Sequence, residues 1–245
     1  MFAKILVFGD VHGRGCWEKV IELEQADQVI FLGDYVSTKE GIQSQQQIEN
    51  MCSIMNVAEA IMLRGNHDLQ HLGYYWARCS GKDPKVLGFM SQPDFVEMFL
   101  ERTQFIHVYE DNEDIYLFSH AGISQTFFDN IKRSLRGDTI VEQLKDINCL
   151  PVNETFGFTP DSPYDYSGES KCQPCTWIRP WTLAEDPLKA DKRIIQVVGH
   201  TPVGSICNIK EVDSKYPDVW LCDCLPSQYL VIENGDFKIK NVPRT

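Results

Sequence analysis

The sequence predicts an α/β fold whose reactive side chains gather at strand ends. Three observations carry this reading. Short apolar runs recur: Ile5 to Phe8, Gln28 to Leu32, Ala60 to Leu63, Ile115 to Phe118 and Ile194 to Val198. Their apolar character shows little polar alternation, as expected of strands buried on both faces. Amphipathic helical stretches separate the first three runs, so the chain opens as a βαβ unit. Each run then stops at a tight turn carrying a carboxylate, an amide or an imidazole. Ligand sites in open α/β sheets lie at the carboxyl ends of the strands.

Taken in order, Ile5 to Phe8 ends in Gly9-Asp10-Val11-His12-Gly13. Asp10 and His12 are two residues apart, so in extended chain they point to one side. Cys16 to Gln25 is expected to be helical, with Trp17, Val20, Ile21 and Leu23 on its apolar side. The second run ends in Gly33-Asp34, and Val36 to Gly41 reads as a polar loop. Gln43 to Val57 has helical spacing at Ile48, Met51, Ile54 and Met55, and its glutamines read as a solvated face. The third run ends in Arg64-Gly65-Asn66-His67-Asp68. A short helix is expected over His67 to Ser80, with Leu69, Leu72, Tyr75 and Trp76 inward and a break at Gly81 to Pro84. A further helix is expected within Phe89 to Arg102, with Pro93 in its first turn and Ser91 as a possible cap. Phe105 to Glu110 and Asp114 to Ser119 read as a hairpin, after which comes His120. Ser124 to Asn148 is expected to be mostly helical. Asn153 to Cys175, rich in Pro, Gly, Ser, Asp and Tyr, reads as a long ordered loop or lid. The last ligand run ends in Gly199-His200-Thr201. Trp220 to Cys222, Tyr229 to Glu233 and Phe237 to Asn241 are expected strands, the last two joined by Asn234-Gly235, a hairpin signal.

Composition narrows the function classes. The chain has 245 residues, 43% of them hydrophobic, enough for a single domain over 1-245 with a helical and loop insertion at about 123-190. Its formal net charge of −12 argues against stable nucleic-acid binding. It leaves a phosphate substrate open, because bound cations would reverse the local charge. No apolar run is long enough to span a bilayer, so no membrane association is expected. No signal peptide precedes the first strand, and the nine cysteines are odd in number and scattered. Free thiols in a cytoplasmic protein are therefore expected.

Six donors of mixed oxygen and nitrogen type suffice for two divalent ions sharing one bridge. Asp34 is the expected bridge, since a carboxylate has two oxygens and a full charge. Asp10 and His12 would complete one ion; Asn66, His120 and His200 would complete the other. Two ions roughly 3.5–4 Å apart can clamp a phosphate and hold a hydroxide for in-line attack. His67, directly after Asn66, is placed to protonate the leaving group. Asp68 would orient His67 or cap the following helix. Arg64 would contact phosphate or support its loop through an ion pair.

The blocks Gly9 to Gly13, Gly33-Asp34, Gly65 to Asp68, Ser119-His120-Ala121-Gly122 and Gly199-His200-Thr201-Pro202 resemble the signature of the calcineurin-like metallophosphoesterases. Leu63 to His67 and Gly199 to Pro202 further resemble the phosphoprotein phosphatase branch, which includes bacterial and phage Ser/Thr phosphatases and dinucleoside tetraphosphatases. The resemblance implies a sandwich of two mixed β-sheets flanked by helices. It implies Mn2+, or an Fe/Zn-type pair, as metals, and His67 as general acid. Trp177-Ile178-Arg179 resembles the segment that gives the branch a phosphate-binding arginine, with a structural ion pair as the alternative. Asp223 resembles the aspartate of an Ile-Asp-x-Gly turn, although the glycine is absent here.

The largest departure follows Asp34. Where the branch usually reads Asp-x-Val-Asp-Arg-Gly, this chain has Asp34-Tyr35-Val36-Ser37-Thr38-Lys39. Serine replaces the aspartate that usually steadies the catalytic histidine, and threonine replaces a phosphate-gripping arginine. Lys39 could reach the phosphate instead, as a point charge. The expected activity is a metal-dependent phosphomonoesterase of the Ser/Thr protein phosphatase type. Its substrate would be a phosphorylated protein or a small phosphoester. Hydrolysis of dinucleoside polyphosphates is the alternative, with Phe156, Tyr164, Tyr166, Trp177 and Trp181 as candidate base-stacking residues. A non-catalytic metal-binding scaffold is a third reading. Cys172, Cys175, Cys222 and Cys224 could form a zinc site only if the two pairs meet; free thiols are the simpler expectation.

Overall fold

The computed structural model describes residues 3–243 except 78, 112, 153, 160–166 and 213–217. The described strands are β1 Ile5–Phe8, β2 Gln28–Phe31, β3 Ala60–Leu63, β4 Thr103–Gln104, β5 Ile106–Glu110, β6 Ile115–Ser119, β7 Ile194–Val198, β8 Cys207–Asn208, β9 Val219–Leu221, β10 Gln228–Glu233 and β11 Asp236–Asn241. They form two mixed sheets, ordered β11-β10-β1-β2-β3-β4 and β5-β6-β7-β9-β8. β1 to β4 run parallel in the first sheet. β6, β7 and β9 run parallel in the second.

The two-residue period of a strand explains why β1 is apolar throughout. Ile5 and Val7 pack between the sheets with Ile30, Leu32, Phe118 and Val197. Leu6 and Phe8 face the helical side with Trp17, Val20, Met51 and Ile54. The helices Trp17–Glu24 and Ser44–Met55 supply those last four residues. The parallel strands of both sheets thus end at one rim, where all six candidate metal donors lie.

Several local expectations are corrected. The helix after β3 spans only Asn66–His71, because Gly73 at φ +92° ends it in the left-handed conformation. Tyr75 is consequently 70% exposed, not packed inward. The expected break at Gly81 to Pro84 holds: Gly81 to Asp83 is not helical, and the Asp83 carboxylate caps a new helix, Pro84–Met90. The next helix is Pro93–Arg102; Gln92 precedes it, and Ser91 closes the previous one. Gln47 is not on a solvated face. It is fully buried, accepts the Ser37 N–H at 2.8 Å and donates to Ile42 O at 2.8 Å. The two-residue strands β4 and β8 and the short helix Pro180–Glu185 were not evident from periodicity, being too brief to show one.

Of the stretch read as a long loop, residues 153 and 160–166 lie outside the described residues, Tyr164 and Tyr166 among them. The described parts are tied down. Thr159 and Gln173 exchange two hydrogen bonds of 2.9 Å, and Thr176 Oγ1 donates to Phe156 O at 2.8 Å. Phe156 is fully buried and stacked on Phe105. Phe156→Ala should therefore cost about 3–5 kcal/mol in urea unfolding. A base-stacking role would predict unchanged stability and a raised KM for nucleotides.

Candidate active site

The turns after β1 and β2 are locked together. Asp34 O accepts the His12 N–H at 2.7 Å, and Tyr35 O accepts the Gly13 N–H at 2.7 Å. The second sheet is tied to the first through the site itself. Asp10 Oδ1 accepts the His200 N–H at 2.8 Å, and His120 Nδ1 lies 2.8 Å from Leu32 O. Glycines make the approach possible. A Cβ at Gly65 would collide with Asp34, and one at Gly199 would crowd Asp10 Oδ1. His12, Asp34 and His200 all have positive φ, of 46°, 52° and 65°. Such non-glycine conformations are costly and cluster at functional sites.

Asp10, His12 and Asp34 offer ligand atoms within 4.8 Å of one another, all buried. Asn66 Oδ1 lies 3.0 Å from His120 Nε2 and 3.1 Å from His200 Nδ1. Asp34 Oδ2 is 3.5 Å from His120 Nε2, so it stands between the two groups of donors. The structure therefore brings all six expected donors together. The three donor histidines and His67 are held neutral. Burial, reinforced by Arg14 and Lys39, pushes His12 down to about 3; burial likewise pushes His120 to about 3 and His67 to about 2. His200 is also lowered well below its ordinary value by burial and by neighbouring His120.

The carboxylates shift the other way. Burial raises Asp10 well above the usual range, and Asp223 and Asp34 raise it further. Asp34 is raised by burial and by Asp68. Burial pushes Asp68 to about 7 and Asp223 to about 6. Neutral imidazoles beside crowded carboxyls are the donor set a divalent cation stabilises, because the cation favours the charged carboxylate and the neutral ring. Among the described residues, His67 Nδ1 is also buried without a hydrogen-bond partner. On these grounds the residues fit divalent ions.

For two residues the structure decides between the alternatives. Asp68 does not orient His67. Its Oδ2 accepts from Asp34 N and Gly65 N, and its Oδ1 from Tyr35 N, each at 2.8 Å. It fixes the Asp34 turn and caps its own helix, so it is a positioning residue. Arg64 does not reach for phosphate. Its guanidinium donates to Thr103 Oγ1 at 2.8 Å and to the carbonyls of Leu100 and Thr103, and it covers the Phe105 ring at 4.7 Å. It holds the segment after the helix Pro93–Arg102 onto the sheet.

His67 donates its N–H to Asp34 Oδ1 at 2.9 Å, with Nε2 3.9 Å from Asp34 Oδ2. Ser37 does not stand in for an aspartate, because its hydroxyl accepts the Lys39 N–H at 3.2 Å. Lys39 is exposed on a turn at the wall of a cleft of about 230 Å³, together with Asp10, His12, His200 and Asp223. Arg179 stands near Asp10, tied to Ser167 O at 2.8 Å and Thr201 Oγ1 at 3.1 Å. Arg14 also lines this cleft, and sequence reasoning passed over it. Its one signal was its position directly after Gly13. Among the described residues the cysteine pairs form no metal-competent group, and Cys172, Cys175, Cys222 and Cys224 are free thiols.

A family model for calcineurin-like phosphoesterases matches residues 3–222. The chain belongs to this family. It is accordingly a metal-dependent phosphoester hydrolase. The fold is similar to that of a cold-active protein-tyrosine phosphatase from a psychrophilic Shewanella species, at TM-score 0.58 and 16% identity, covering 99% of this chain and 81% of that one. It is similar to a protein serine/threonine phosphatase of Saccharomyces cerevisiae, at TM-score 0.58 and 13% identity, covering 99% and 80%. It also resembles a metallophosphoesterase from Sphaerobacter thermophilus, at TM-score 0.50 and 16% identity, covering 99% and 89%. No curated protein sequence matches the chain. Among the described residues no helix is long and apolar enough to cross a membrane.

The depressed imidazoles give a pH prediction for metal-free protein. Unfolded histidine binds a proton below about pH 6.5, whereas folded His12, His67, His120 and His200 stay neutral well below that. His71 and His107 are lowered too, so six imidazoles outnumber the four buried, raised carboxyls of Asp10, Asp34, Asp68 and Asp223. An unfolded state that binds more protons gains on the folded one as pH falls. Metal-free protein should therefore melt at a lower temperature at about pH 5 than at about pH 6.5. A melting temperature that rises on acidification over this window would contradict the assignment.

Proposed function

We propose that the chain hydrolyses phosphomonoesters, with phosphoserine- or phosphothreonine-bearing protein as the substrate class. The observation that carries this reading is a compact cleft opening directly onto the donor cluster. At about 230 Å³ it falls below the roughly 300–1,000 Å³ of sites for drug-sized ligands. It has room for a phosphate on a short arm, and little for a nucleoside at each end. Of the aromatic residues named for a dinucleotide reading, Phe156 is core and Trp177 is buried against Phe158 and His200, while Trp181 is exposed and Tyr164 and Tyr166 lie outside the described residues. The similar fold of known protein phosphatases is compatible with a phosphoprotein substrate.

In this reading Asp10, His12 and Asp34 hold one ion; Asp34, Asn66, His120 and His200 hold the second. Mn2+ is the favoured metal. When bound, the ions supply Lewis-acid charge at the phosphoryl group and a water-derived nucleophile near neutral pH. The chain's own residues do the rest. Arg179 and Lys39 bind phosphate oxygens. Asp68 fixes the Asp34 turn through three backbone N–H groups. His67, with Nε2 on the Asp34 side, is the acid for the leaving oxygen; its ring, neutral in the free site, takes up that proton beside the incoming phosphate dianion. Trp177, two residues before Arg179, meets His200 Nε2 with its carbonyl oxygen at 3.1 Å.

His67→Ala should slow poor leaving groups, such as phosphothreonine peptide, about 100-fold more than p-nitrophenyl phosphate, whose phenolate needs little protonation. Equal losses would remove His67 as the acid. A substrate panel on Mn2+-loaded protein tests the class: turnover of the peptide should exceed that of a dinucleoside tetraphosphate. The reverse order would overturn the reading.

A further inference from the structure

We propose that Arg14 contacts the substrate phosphate in this site, positioned by Glu40. The proposal rests on the phosphoester reading above and adds a residue that no signature block contains. Arg14 follows the Gly9 to Gly13 turn directly, so its side chain starts beside the candidate ligands Asp10 and His12. It lines the cleft with Lys39, Glu40 and Asp223. Its guanidinium is held in place by three contacts: Asp10 O at 3.3 Å, Val11 O at 3.4 Å and Glu40 Oε1 at 2.6 Å. A guanidinium carries more N–H donors than these contacts use, in a rigid fork that matches phosphate oxygens.

Charge explains why a second cation is wanted on this wall. Asp10, Asp34 and Asp223 are buried nearby. A phosphate dianion approaching them is repelled wherever bound ions do not screen it. Lys39 offers a point charge on a flexible stem. Arg14 adds a planar, oriented donor set, and its side chain is only 13% exposed, so its field is less screened by water. The Arg14–Glu40 pair also joins the first turn to the Thr38–Glu40 turn that carries Lys39. One ion pair therefore sets both cations on the same wall. Such an arrangement favours the dianion of a monoester over the monoanion of a diester.

The test compares Arg14→Ala, Arg14→Lys and Glu40→Gln with the parent, all as full-length, Mn2+-loaded protein. KM and kcat are measured with p-nitrophenyl phosphate and its bis ester. Inorganic phosphate affinity is measured by calorimetry, which needs no turnover. Arg14→Ala should raise KM for the monoester about tenfold and weaken phosphate binding by a similar factor, with kcat within about threefold. The bis ester should lose less. Arg14→Lys should fall between, and Glu40→Gln should show a smaller rise in KM. Unchanged KM and phosphate affinity in Arg14→Ala would overturn the proposal, as would a fall in kcat alone. If Arg14→Ala does not melt cooperatively, Arg14→Lys decides: parental KM and phosphate affinity overturn the proposal, and a severalfold loss of both supports it. Phosphate binding that depends on Arg14 in a protein that turns over neither ester would uphold this inference while removing the hydrolase reading on which it was framed.

Discussion

Burying carboxylates at one rim is the constraint from which most of this structure follows. Asp10, Asp34, Asp68 and Asp223 are each at most 6% exposed. An isolated carboxylate so deeply buried is costly unless paired, hydrogen-bonded or bound to a cation. Asp68 is met by three backbone N–H groups, and Asp10 and Asp34 each receive one, from His200 and His67. The remaining oxygens face histidine rings and each other, and divalent ions satisfy that demand. One of these hydrogen bonds, His200 N–H to Asp10, joins the two sheets, so the fold and the charge requirement meet at one place. The left-handed backbone at His12, Asp34 and His200 is the conformational cost of that solution.

Function then divides between what the ions supply and what the chain supplies. In the proposed reading, bound ions would bring charge and a nucleophile, and the chain would set their positions, grip the phosphate and move one proton. His67 is unusual in this division. With Ser37 turned to Lys39 N, no carboxylate sits on its Nδ1. Burial, with His12 and Lys39 beside it, holds its proton affinity down. The cationic wall is also rearranged: Thr38 is exposed, and Lys39 and Arg14 flank the cleft.

Much of this was legible in the sequence because it is local. β1, β3 and β7 match their apolar runs, and every expected donor sits in a turn directly after such a run. Period-two burial makes those runs conspicuous, and short turns leave a ligand little freedom to lie elsewhere. What was not legible is tertiary. Asp68 is adjacent to His67 in sequence, yet its carboxylate serves the turn after another strand. Arg64 precedes the Asn66 turn but points back to Leu100 and Thr103. Gln47 sits among exposed glutamines, and only the fold reveals the Ser37 N–H that it satisfies. Arg14 differs again: its neighbours in sequence were recognised, but its role depends on Glu40, brought near by the second turn.

The most direct test of the central claim is metal stoichiometry and affinity, measured by calorimetry and elemental analysis on the parent and on Asp34→Asn. If Asp34 is the shared ligand between the two donor groups, the parent binds two Mn2+ per chain and Asp34→Asn loses affinity for both together. Two tightly bound ions in Asp34→Asn, or none in the folded parent, would contradict the account.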